Sequence, residues 1–511
     1  MLRTLRILLR LIAIARTLAR HDALAPLKDS GLLAPVLLRF RFLTPKDVPG
    51  RPGEKLARAL VELGPSFIKF GQALATRADL LGETAAKDLS ALQDRLPAFS
   101  GAAARRTVER ELAQPLEDIF SDFTETAVSA ASIAQVHMAV TRAGQEVAVK
   151  VLRPGIEQAF ERDLDLFYWV AGLAERTQPR ARRLKPVEVV RLFERTVRIE
   201  MDLRMEAAAA SELAENFAGD AGYSVPAIDW QRTSRRVLTM ERVAGIPLDD
   251  REALLAAGHD LEEVLEKAAA IFFKQVFRDG FFHGDQHPGN MFVDPAGNIL
   301  AVDFGIMGRL DHKTRRYLAD MLLATLAQDY RRLAEVHVEA GYLPRGPAVE
   351  TFAQALRSVC EPIAGRPLHE ISFARLLAQL LQLTEAFDMP VQPQLLLLQK
   401  NMLMAEGISR SLSPGLNIWT LAQPLIADWM REHRGPEARI RDVAGAWADQ
   451  LQRLPETLTN LETSARRLAD DGLKLEPATM AALAGGRNRS RWHIRALWAA
   501  VVLLALFFAL N

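Results

Sequence analysis

Cysteine is nearly absent from this chain of 511 residues, which contains only Cys360. A single thiol cannot form an intramolecular disulfide, and it indicates a protein of the reducing cytoplasm in which Cys360 is a buried structural thiol. The sequence also lacks a group of Cys and His residues with the spacing of zinc ligands, so no zinc site is expected. The net charge is only +1, so no overall positive charge attracts the chain to nucleic acid.

The most informative string reads Phe-His-Gly-Asp-Gln-His-Pro-Gly-Asn from residue 282 to 290, and Asp-Phe-Gly follows at 303–305. This is the spacing of a protein kinase catalytic loop and metal-binding turn. Asp285 can accept a proton from a hydroxyl or orient a water. Asn290 and Asp303 offer the oxygen ligands that Mg²⁺ prefers. The pattern predicts a phosphotransferase that uses a nucleotide and Mg²⁺.

Two short apolar runs lie between the predicted metal ligands. Residues 291–293 and 299–302 are apolar, and Asp-Pro-Ala-Gly-Asn joins them at 294–298. Apolar runs around such a turn predict a β-hairpin. The hairpin would hold Asn290 and Asp303, which flank it, close together.

A phosphate-binding strand is predicted at residues 147–150, where Val-Ala-Val-Lys matches the kinase strand whose Lys binds the α and β phosphates. Glycine is absent from the loop before it, because the three expected glycine positions hold Ser129, Ala131 and Ala134. Glycine lets the backbone approach phosphate oxygens and adopt a positive φ, and a Cβ obstructs both. We expect this loop to hold phosphates differently, with an altered nucleotide preference and slow or absent transfer to protein substrates.

The partner carboxylate of Lys150 is expected on a helix after an insert that contains the basic run 179–186. Residues 200–210 are strong helix formers by composition. Glu200 and Glu206 are six residues apart and would lie on different faces of that helix. Only one of them can then meet Lys150.

A second string, residues 63–81, reads Leu-Gly-Pro-Ser-Phe-Ile-Lys-Phe-Gly-Gln-Ala-Leu-Ala-Thr-Arg-Ala-Asp-Leu-Leu. It closely resembles the KxGQ motif of the UbiB family of atypical kinase-like proteins. The resemblance continues through Ala-Ser-Ile-Ala-Gln-Val-His at 131–137, Met-Glu-Arg-Val-Ala-Gly at 240–245 and the catalytic string. It covers roughly residues 50 to 420, which is most of the chain.

The resemblance implies a role for each matching residue, with ATP or ADP and Mg²⁺ as cofactors. It assigns catalysis to Asp285, Lys150 and Glu206, with Glu206 as the partner of Lys150, and metal binding to Asn290 and Asp303. It assigns nucleotide binding to Ser129, Ala130, Ala131, Ser132, Ala134, Val136, Lys150, Glu241 and Val243. It assigns regulation to Lys69 and Gln72 of KxGQ and to Glu200 and Asp202, an ExD motif that faces KxGQ. The KxGQ segment is expected to occupy the space where a protein kinase admits its peptide.

Both ends of the chain combine arginines with apolar residues. Residues 1–20 contain Arg at positions 3, 6, 10, 16 and 20 and no acidic residue. This pattern predicts a basic amphipathic helix on an anionic membrane surface, although a targeting peptide or a solvated helix has a similar pattern. Residues 496–510 form an uncharged apolar run of about 22 Å, which is short of the ~30 Å hydrocarbon layer unless residues 492–495 are partly drawn in. We expect a membrane anchor there, with the preceding arginines on the cytoplasmic side of a bacterial inner membrane.

These observations predict an α+β protein with the two-lobed protein-kinase-like fold, an N-terminal helical extension and a C-terminal membrane helix. Residues 313–420 are rich in Leu and Ala at helical periods, and runs such as 395–398 are expected to be core. The predicted segments are an N-terminal helical extension with KxGQ at 1–115, a kinase-like N-lobe at 116–246, a helical C-lobe at 247–430, a helical linker at 431–486 and the anchor at 492–511.

The leading interpretation is a membrane-associated protein that binds adenine nucleotide and Mg²⁺ and hydrolyses ATP to support ubiquinone biosynthesis. Expected partners are anionic membrane lipids, prenylated quinone precursors and other enzymes of that pathway, and a homodimer stays open. One alternative is a small-molecule phosphotransferase of the aminoglycoside or choline kinase type, which lacks KxGQ and the membrane tail. The other is a non-catalytic nucleotide-binding scaffold, against which the intact set of Lys150, Asp285, Asn290 and Asp303 argues.

Overall fold

The computed structural model describes six ranges of the chain and a few positions between them. These are residues 2–23, 48–75, 97–177, 185–343, 348–363 and 393–413, with positions 85, 88, 89, 92, 376, 379, 380, 383, 387 and 389. The chain divides into two units, residues 1–429 and 430–511. The predicted linker and membrane anchor lie outside the described residues. Among the helices that are described, none is both long and apolar enough to cross a membrane.

Three described helices lie within residues 2–75 of the N-terminal extension. They are α1 Leu2–Arg20, α2 Pro52–Leu63 and α3 Pro65–Ala75. Gly64 joins the last two with a φ of +104°, a backbone conformation that glycine adopts without strain. Pro65 then begins α3, since its fixed φ suits the first turn of a helix. The KxGQ motif therefore lies on α3, directly after a sharp turn.

The first lobe is built around a five-stranded antiparallel sheet. Its strands are β1 Phe120–Phe123, β2 Ser129–Ala130, β3 Ala134–Thr141, β4 Glu146–Leu152 and β6 Val237–Glu241. They are ordered β1-β3-β4-β6, and β2 pairs with β3. The helices of this part are α4 Gly101–Leu112, α5 Leu116–Ile119, α6 Ile156–Thr177, α7 Pro186–Glu200 and α8 Leu203–Asn216.

Alternation along β4 decides where its lysine points. Val147, Val149 and Val151 are buried in one cluster together with Val108 of α4. Side chains alternate between the two faces of a strand, so Lys150 lies on the opposite face. Leu152, on that face, belongs to the cluster that contains residues of α6 and α8. The lysine is thereby directed to the side of the sheet on which α8 lies.

The second lobe combines short strands with helices. Its strands are β5 Tyr223–Ser224, β7 Ile246–Pro247, β8 Phe281–His283, β9 Met291–Val293, β10 Ile299–Ala301 and β11 Met307–Arg309, in sheets ordered β5-β10-β9-β7 and β11-β8. Its described helices are α9 Arg251–Ala256, α10 Leu261–Phe273, α11 His312–Leu326, α12 Tyr330–Glu339, α13 Ala348–Cys360 and α14 Pro393–Leu412, and α10 continues as a π-helix over Lys274–Asp279.

Two expectations of local structure are confirmed here. Strands β9 and β10 form the predicted antiparallel hairpin, with Ile299 opposite Val293 and Gly297 in the turn at a φ of +79°. Cys360 is buried at the end of α13, and burial raises the pKa of its thiol to about 11.

The prediction of one continuous helix over residues 200–210 is wrong. Helix α7 ends at Glu200, and α8 begins at Leu203. Asp202 caps α8, because its carboxylate accepts a hydrogen bond from the backbone N–H of Arg204 at 3.2 Å. An Asp that binds the backbone in this way favours a helix start over a helix interior. Glu200 and Glu206 therefore lie on two different helices.

Helix α1 is present as predicted, and apolar residues of its C-terminal half pack onto the rest of the extension. Ala15, Leu18 and Ala19 are buried, and Leu18 packs against Ala59 of α2. The guanidinium of Arg10 donates to both carboxylate oxygens of Asp163 on α6, at 2.8 and 3.1 Å. These contacts fix α1 to the protein. Contact of its exposed residues with a membrane stays a prediction.

Loss of the Arg10 side chain should destabilise the protein. The Asp163 side chain is only 3% exposed, so an Arg10→Ala variant leaves a buried carboxylate without this cation. We expect the free energy of unfolding to fall by about 2 kcal/mol, less than for a fully buried pair because Arg10 is partly exposed. Urea denaturation measures this, with Arg16→Ala on the exposed side of α1 as the matched control. Equal stabilities of the two variants would contradict the role of Arg10.

Candidate active site

A lysine between two carboxylates lies at the junction of strand β4, helix α8 and the turn after β10. The Lys150 ammonium donates to both oxygens of Glu206, at 2.8 and 3.0 Å, and to Oδ1 of Asp303 at 3.1 Å. Asp303 has a φ of +61°, a left-handed conformation that Asp tolerates better than most residues. We call these three residues the Lys150 cluster. They come from positions up to 153 residues apart in the sequence.

The electrostatics of the Lys150 cluster follow from its one cation and two carboxylates. The charge of Lys150 is the main reason why the pKa of Asp303 falls to about 2, and Lys69 contributes to the same effect. Burial raises the pKa of Glu206, while Lys150 opposes that rise. Burial also disfavours the Lys150 cation, but Asp303 and Glu206 outweigh it and raise the pKa of the lysine. Lys150 and Asp303 are therefore both charged at neutral pH.

The catalytic loop is held by a buried histidine. The Nδ1 atom of His283 accepts a hydrogen bond from the backbone N–H of Asp285 at 3.1 Å. Its Nε2 atom lies 3.2 Å from the carbonyl oxygen of Val302, a pairing that suits a neutral ring with its proton on Nε2. Burial lowers the pKa of His283, which agrees with the neutral form. The histidine thus connects the backbone of Asp285 to the residue before Asp303.

Asn290 and Asp303 are brought together as the hairpin pattern predicts. The backbone N–H of Val302 donates to the carbonyl of Asn290 at 2.9 Å. The Asn290 side chain donates its Nδ2 to the carbonyl of Asp285 at 3.1 Å. Gly284 lies so close to Ile306 that a Cβ would approach its side chain to 2.9 Å, so a larger residue there would require Ile306 to shift. Hydrogen bonds thus link Asn290 to Asp285 and to the residue before Asp303, so the three residues predicted to act in catalysis and metal binding lie close together.

The donor set of this turn fits Mg²⁺. The Asn290 nitrogen donates to the Asp285 carbonyl, so the amide oxygen is the atom that could bind a metal, and Asp303 adds a carboxylate that is about half exposed. Mg²⁺ in nucleotide sites takes one or two protein oxygens and completes its shell with phosphate and water. Within the described ranges, no group of three or more His, Cys, Asp or Glu residues could hold a metal by itself. The Asn290 and Asp303 pair is thus suited to a metal that arrives with a nucleotide.

The alanine-rich loop is closed by its own backbone and by an arginine. Ala131 donates its N–H to the carbonyl of Ala134 at 2.8 Å. The Arg153 guanidinium donates to the carbonyl of Ala131 at 2.9 and 3.2 Å. Ser129 and Ala130 form the edge strand β2, and Ser132 is fully buried. These hydrogen bonds hold the loop in a tight turn.

Three further residues assigned to nucleotide binding lie on or near the strands beside Lys150. Val136 pairs directly with Lys150 across β3 and β4. Glu241 ends β6, which pairs with β4, and its carboxylate accepts from the N–H of Ala227 at 3.3 Å. Val243 follows two residues later and is half-buried. These positions line the strands next to the lysine.

The KxGQ residues each have a described structural environment. Lys69 lies 3.2 Å from a carboxylate oxygen of Glu200, and each side chain is only 11% exposed. A Cβ on Gly71 would lie 2.6 Å from the side chains of Leu60 and Leu92, so a larger residue there would require both leucines to shift. Gln72 donates to the carbonyl of Leu92 at 3.3 Å. Helix α3 is thus fixed along its length.

Aromatic side chains of helix α3 pack against helices α6 and α7. The ring of Phe70 stacks on Phe167 of α6 at 4.6 Å between centroids and meets Phe193 of α7 edge-on at 5.4 Å. Phe67 contacts Phe167 edge-on at 5.1 Å. Such pairs add to the free energy gained from burial of the rings. Of the ExD pair, Glu200 contacts Lys69, while the described bonds of Asp202 go to Arg204 and lower the pKa of Asp202.

Two residues at the site were not predicted from the sequence. Lys400 of α14 donates to Oδ1 of Asp285 at 2.8 Å, and Asn401 donates to the backbone carbonyl of His283. The only signal is a polar Gln-Lys-Asn sequence directly after the leucine run 395–398, in a segment that was expected to be core. Spacing within the catalytic string cannot reveal them, since Lys400 lies 115 residues away from Asp285 and Asn401 follows it.

The depressed pKa of Asp303 predicts a pH effect on stability. Because its folded-state pKa of about 2 lies below the ordinary 3.8, the ionised carboxylate stabilises the fold above pH 4, and this contribution is lost as the pH falls toward 2. The difference in unfolding free energy between the wild type and Asp303→Asn should therefore shrink over this range. Denaturant titrations between pH 2 and 6 measure it. In a Lys150→Met background the difference should be smaller, and a persistent full difference there would contradict the assignment to Lys150.

Comparison with known proteins finds sequence similarity over most of the chain. Residues 91–337 match the ABC1 atypical kinase-like domain, and residues 356–417 match the UbiB helical domain. A probable protein kinase UbiB of Marinobacter nauticus is 45% identical over 460 residues, covering 88% of this chain and 84% of the relative. Its namesake from Aeromonas salmonicida is 45% identical over 412 residues, covering 79% and 76%. That of Pseudomonas entomophila is 39% identical over 521 residues and covers 97% of both chains.

Proposed function

This chain belongs to the UbiB family of atypical kinase-like proteins, and on that premise we propose that it binds ATP or ADP with Mg²⁺ and hydrolyses ATP in support of ubiquinone biosynthesis. The observation that carries the proposal is the Lys150 cluster. Lys150 contacts the helix carboxylate of Glu206 and the turn carboxylate of Asp303 at 2.8 to 3.1 Å. The ion pair of Lys150 with Glu206 is a feature of an active kinase site, and Asp303 stands where such a site has its metal-binding aspartate.

Each residue of the site has a separate role in phosphoryl transfer. Lys150 binds the α and β phosphates, and Glu206 holds its ammonium in place. Asp285 orients a water, whose oxygen forms a bond to the γ-phosphorus as the bond to the β,γ-bridging oxygen breaks. ADP departs with that electron pair, and the Asp285 carboxylate takes the proton of the attacking water. Asn290 and Asp303 would hold Mg²⁺, which would supply neutralisation of the charge on the phosphates.

Water is the proposed acceptor because the KxGQ helix favours exclusion of a peptide. Helix α3 is fastened by the Lys69 and Glu200 ion pair and by Phe70, which packs on two helices of the lobe. Lys69 is also close enough to Asp303 to lower its pKa. A peptide that approached Asp303 from this side would have to displace a buried ion pair and a set of packed rings, which is costly. The same feature disfavours a small-molecule kinase of the aminoglycoside type, which lacks this helix.

The cellular setting proposed here is the cytoplasmic face of a bacterial inner membrane. The exposed Leu9 and Ile12 of α1 and the apolar run 496–510, which lies outside the described residues, support attachment to anionic lipids. The role in ubiquinone biosynthesis rests on family membership. We propose that the hydrolysis makes prenylated quinone precursors available to other enzymes of the pathway.

Phosphate release from ATP and Mg²⁺ by the full-length protein tests the proposal. It should be measured with and without anionic liposomes that contain a phenolic quinone-precursor analogue. We expect turnover that the liposomes increase and that falls about a hundredfold in Asp303→Asn, because the metal carboxylate is lost. The conservative Asp311→Asn variant, at the cap of α11, is the matched control and should keep wild-type turnover.

Other outcomes would identify the alternatives. No turnover under any condition, with nucleotide binding retained, would contradict hydrolysis and favour the scaffold. Phosphate that appears on the phenolic analogue and not in solution would favour a small-molecule kinase.

A further inference from the structure

The carboxylate of Asp285 is held by a helix outside the kinase-like core. Lys400 of α14 places its Nζ atom 2.8 Å from Oδ1 of Asp285. Helix α14 lies within residues 356–417, the range that matches the UbiB helical domain, whereas Asp285 lies in the range of the atypical kinase-like domain. The two matched domains thus meet at the side chain to which the proposed function assigns the proton transfer.

The neighbour of Lys400 fixes the position of α14 against the same loop. Asn401 is fully buried, and its Nδ2 donates to the carbonyl of His283, two residues before Asp285. Its Oδ1 accepts from the N–H of Gln286, one residue after Asp285, at 3.4 Å. One amide therefore bonds the loop on both sides of the aspartate. This anchors the backbone of α14 directly beside the loop.

Judged by its exposure alone, the ion pair of Lys400 with Asp285 would contribute little. Its side chain is 42% exposed, and an exposed pair contributes little to stability because water and salt screen it. The buried Asn401 changes this conclusion, since it fixes the helix from which Lys400 extends and so reduces the conformational freedom that the pair must lose. The contact is better suited to orienting a carboxylate than to stabilising the fold.

We infer that Lys400 is a positioning residue for Asp285, supplied by the helical domain. The inference rests on the proposed function, since it gives the pair a task in ATP hydrolysis. Lys400 holds Oδ1 of Asp285, so that Oδ2 is the oxygen that orients the attacking water and takes its proton. Asn401 sets the distance by bonding the loop at His283 and Gln286. Nucleotide binding depends on Lys150 and Asp303, which Lys400 does not contact within the described set of hydrogen bonds.

The test is a kinetic comparison of full-length variants with the wild type. In Lys400→Met, kcat for phosphate release should fall at least about tenfold, because Asp285 loses its orientation. The dissociation constant for ADP and Mg²⁺ should stay within about twofold, because the nucleotide contacts are intact. Lys400→Arg should restore most of the turnover, since it keeps a cation near Oδ1. The control is Arg410→Ala, which removes an exposed cation from the same helix and should leave both quantities unchanged.

Each contrary outcome has a separate meaning. If Lys400→Met turns over ATP within twofold of an active wild type, the positioning role is wrong while the proposed function survives. If Lys400→Met weakens ADP binding as much as it lowers turnover, Lys400 is a nucleotide ligand and the inference is overturned. If the arginine variant is as slow as the methionine variant although its unfolding midpoint is that of the wild type, a role based on charge is excluded. A wild type without turnover overturns the proposed function, and this inference with it.

Discussion

The contact on which the site depends is the ammonium of Lys150 between the carboxylates of Glu206 and Asp303. One charge thereby joins a strand, a helix and the turn after the β9–β10 hairpin. A buried cation is unfavourable without such partners, and the buried carboxylate of Glu206 would be unfavourable without the cation. The charge of Lys150 keeps Asp303 ionised. Asp303 lies next to Asn290, and we propose these two residues as the magnesium ligands. The orientation of β4 and the start of α8 both serve this arrangement.

Two helices outside the kinase-like domain, α3 and α14, contact residues of this site or beside it. Helix α3 brings Lys69 to Glu200 at the end of α7, close to the Lys150 cluster. Helix α14 brings Lys400 and Asn401 to the catalytic loop. The two cations face different carboxylates, so the two helices act on different parts of the site. In the proposed function, helix α3 restricts the acceptor and helix α14 orients the carboxylate that activates it.

Much of the site could be predicted from the sequence because its residues lie in short strings with fixed spacing. The hairpin between Asn290 and Asp303 is of this kind, and so is the strand that ends near Lys150; the kinase-like α+β fold is confirmed by the family match. The break between α7 and α8 was missed, because composition favours a helix over residues 200–210 and the capping hydrogen bond of Asp202 is a detail of backbone geometry. Lys400 was missed because only the tertiary fold brings it to a residue 115 positions away.

The central claim is that the Lys150 cluster and Asn290 form a site for a nucleotide together with Mg²⁺. Calorimetric titration of the full-length protein with ADP, with Mg²⁺ and with a chelator in its place, tests this most directly. The account predicts binding that weakens at least about tenfold without Mg²⁺ and weakens comparably in Asp303→Asn with Mg²⁺ present. Binding of equal strength in the wild type without Mg²⁺ and in the variant would contradict it, because the metal and its carboxylate would then have no part in holding the nucleotide.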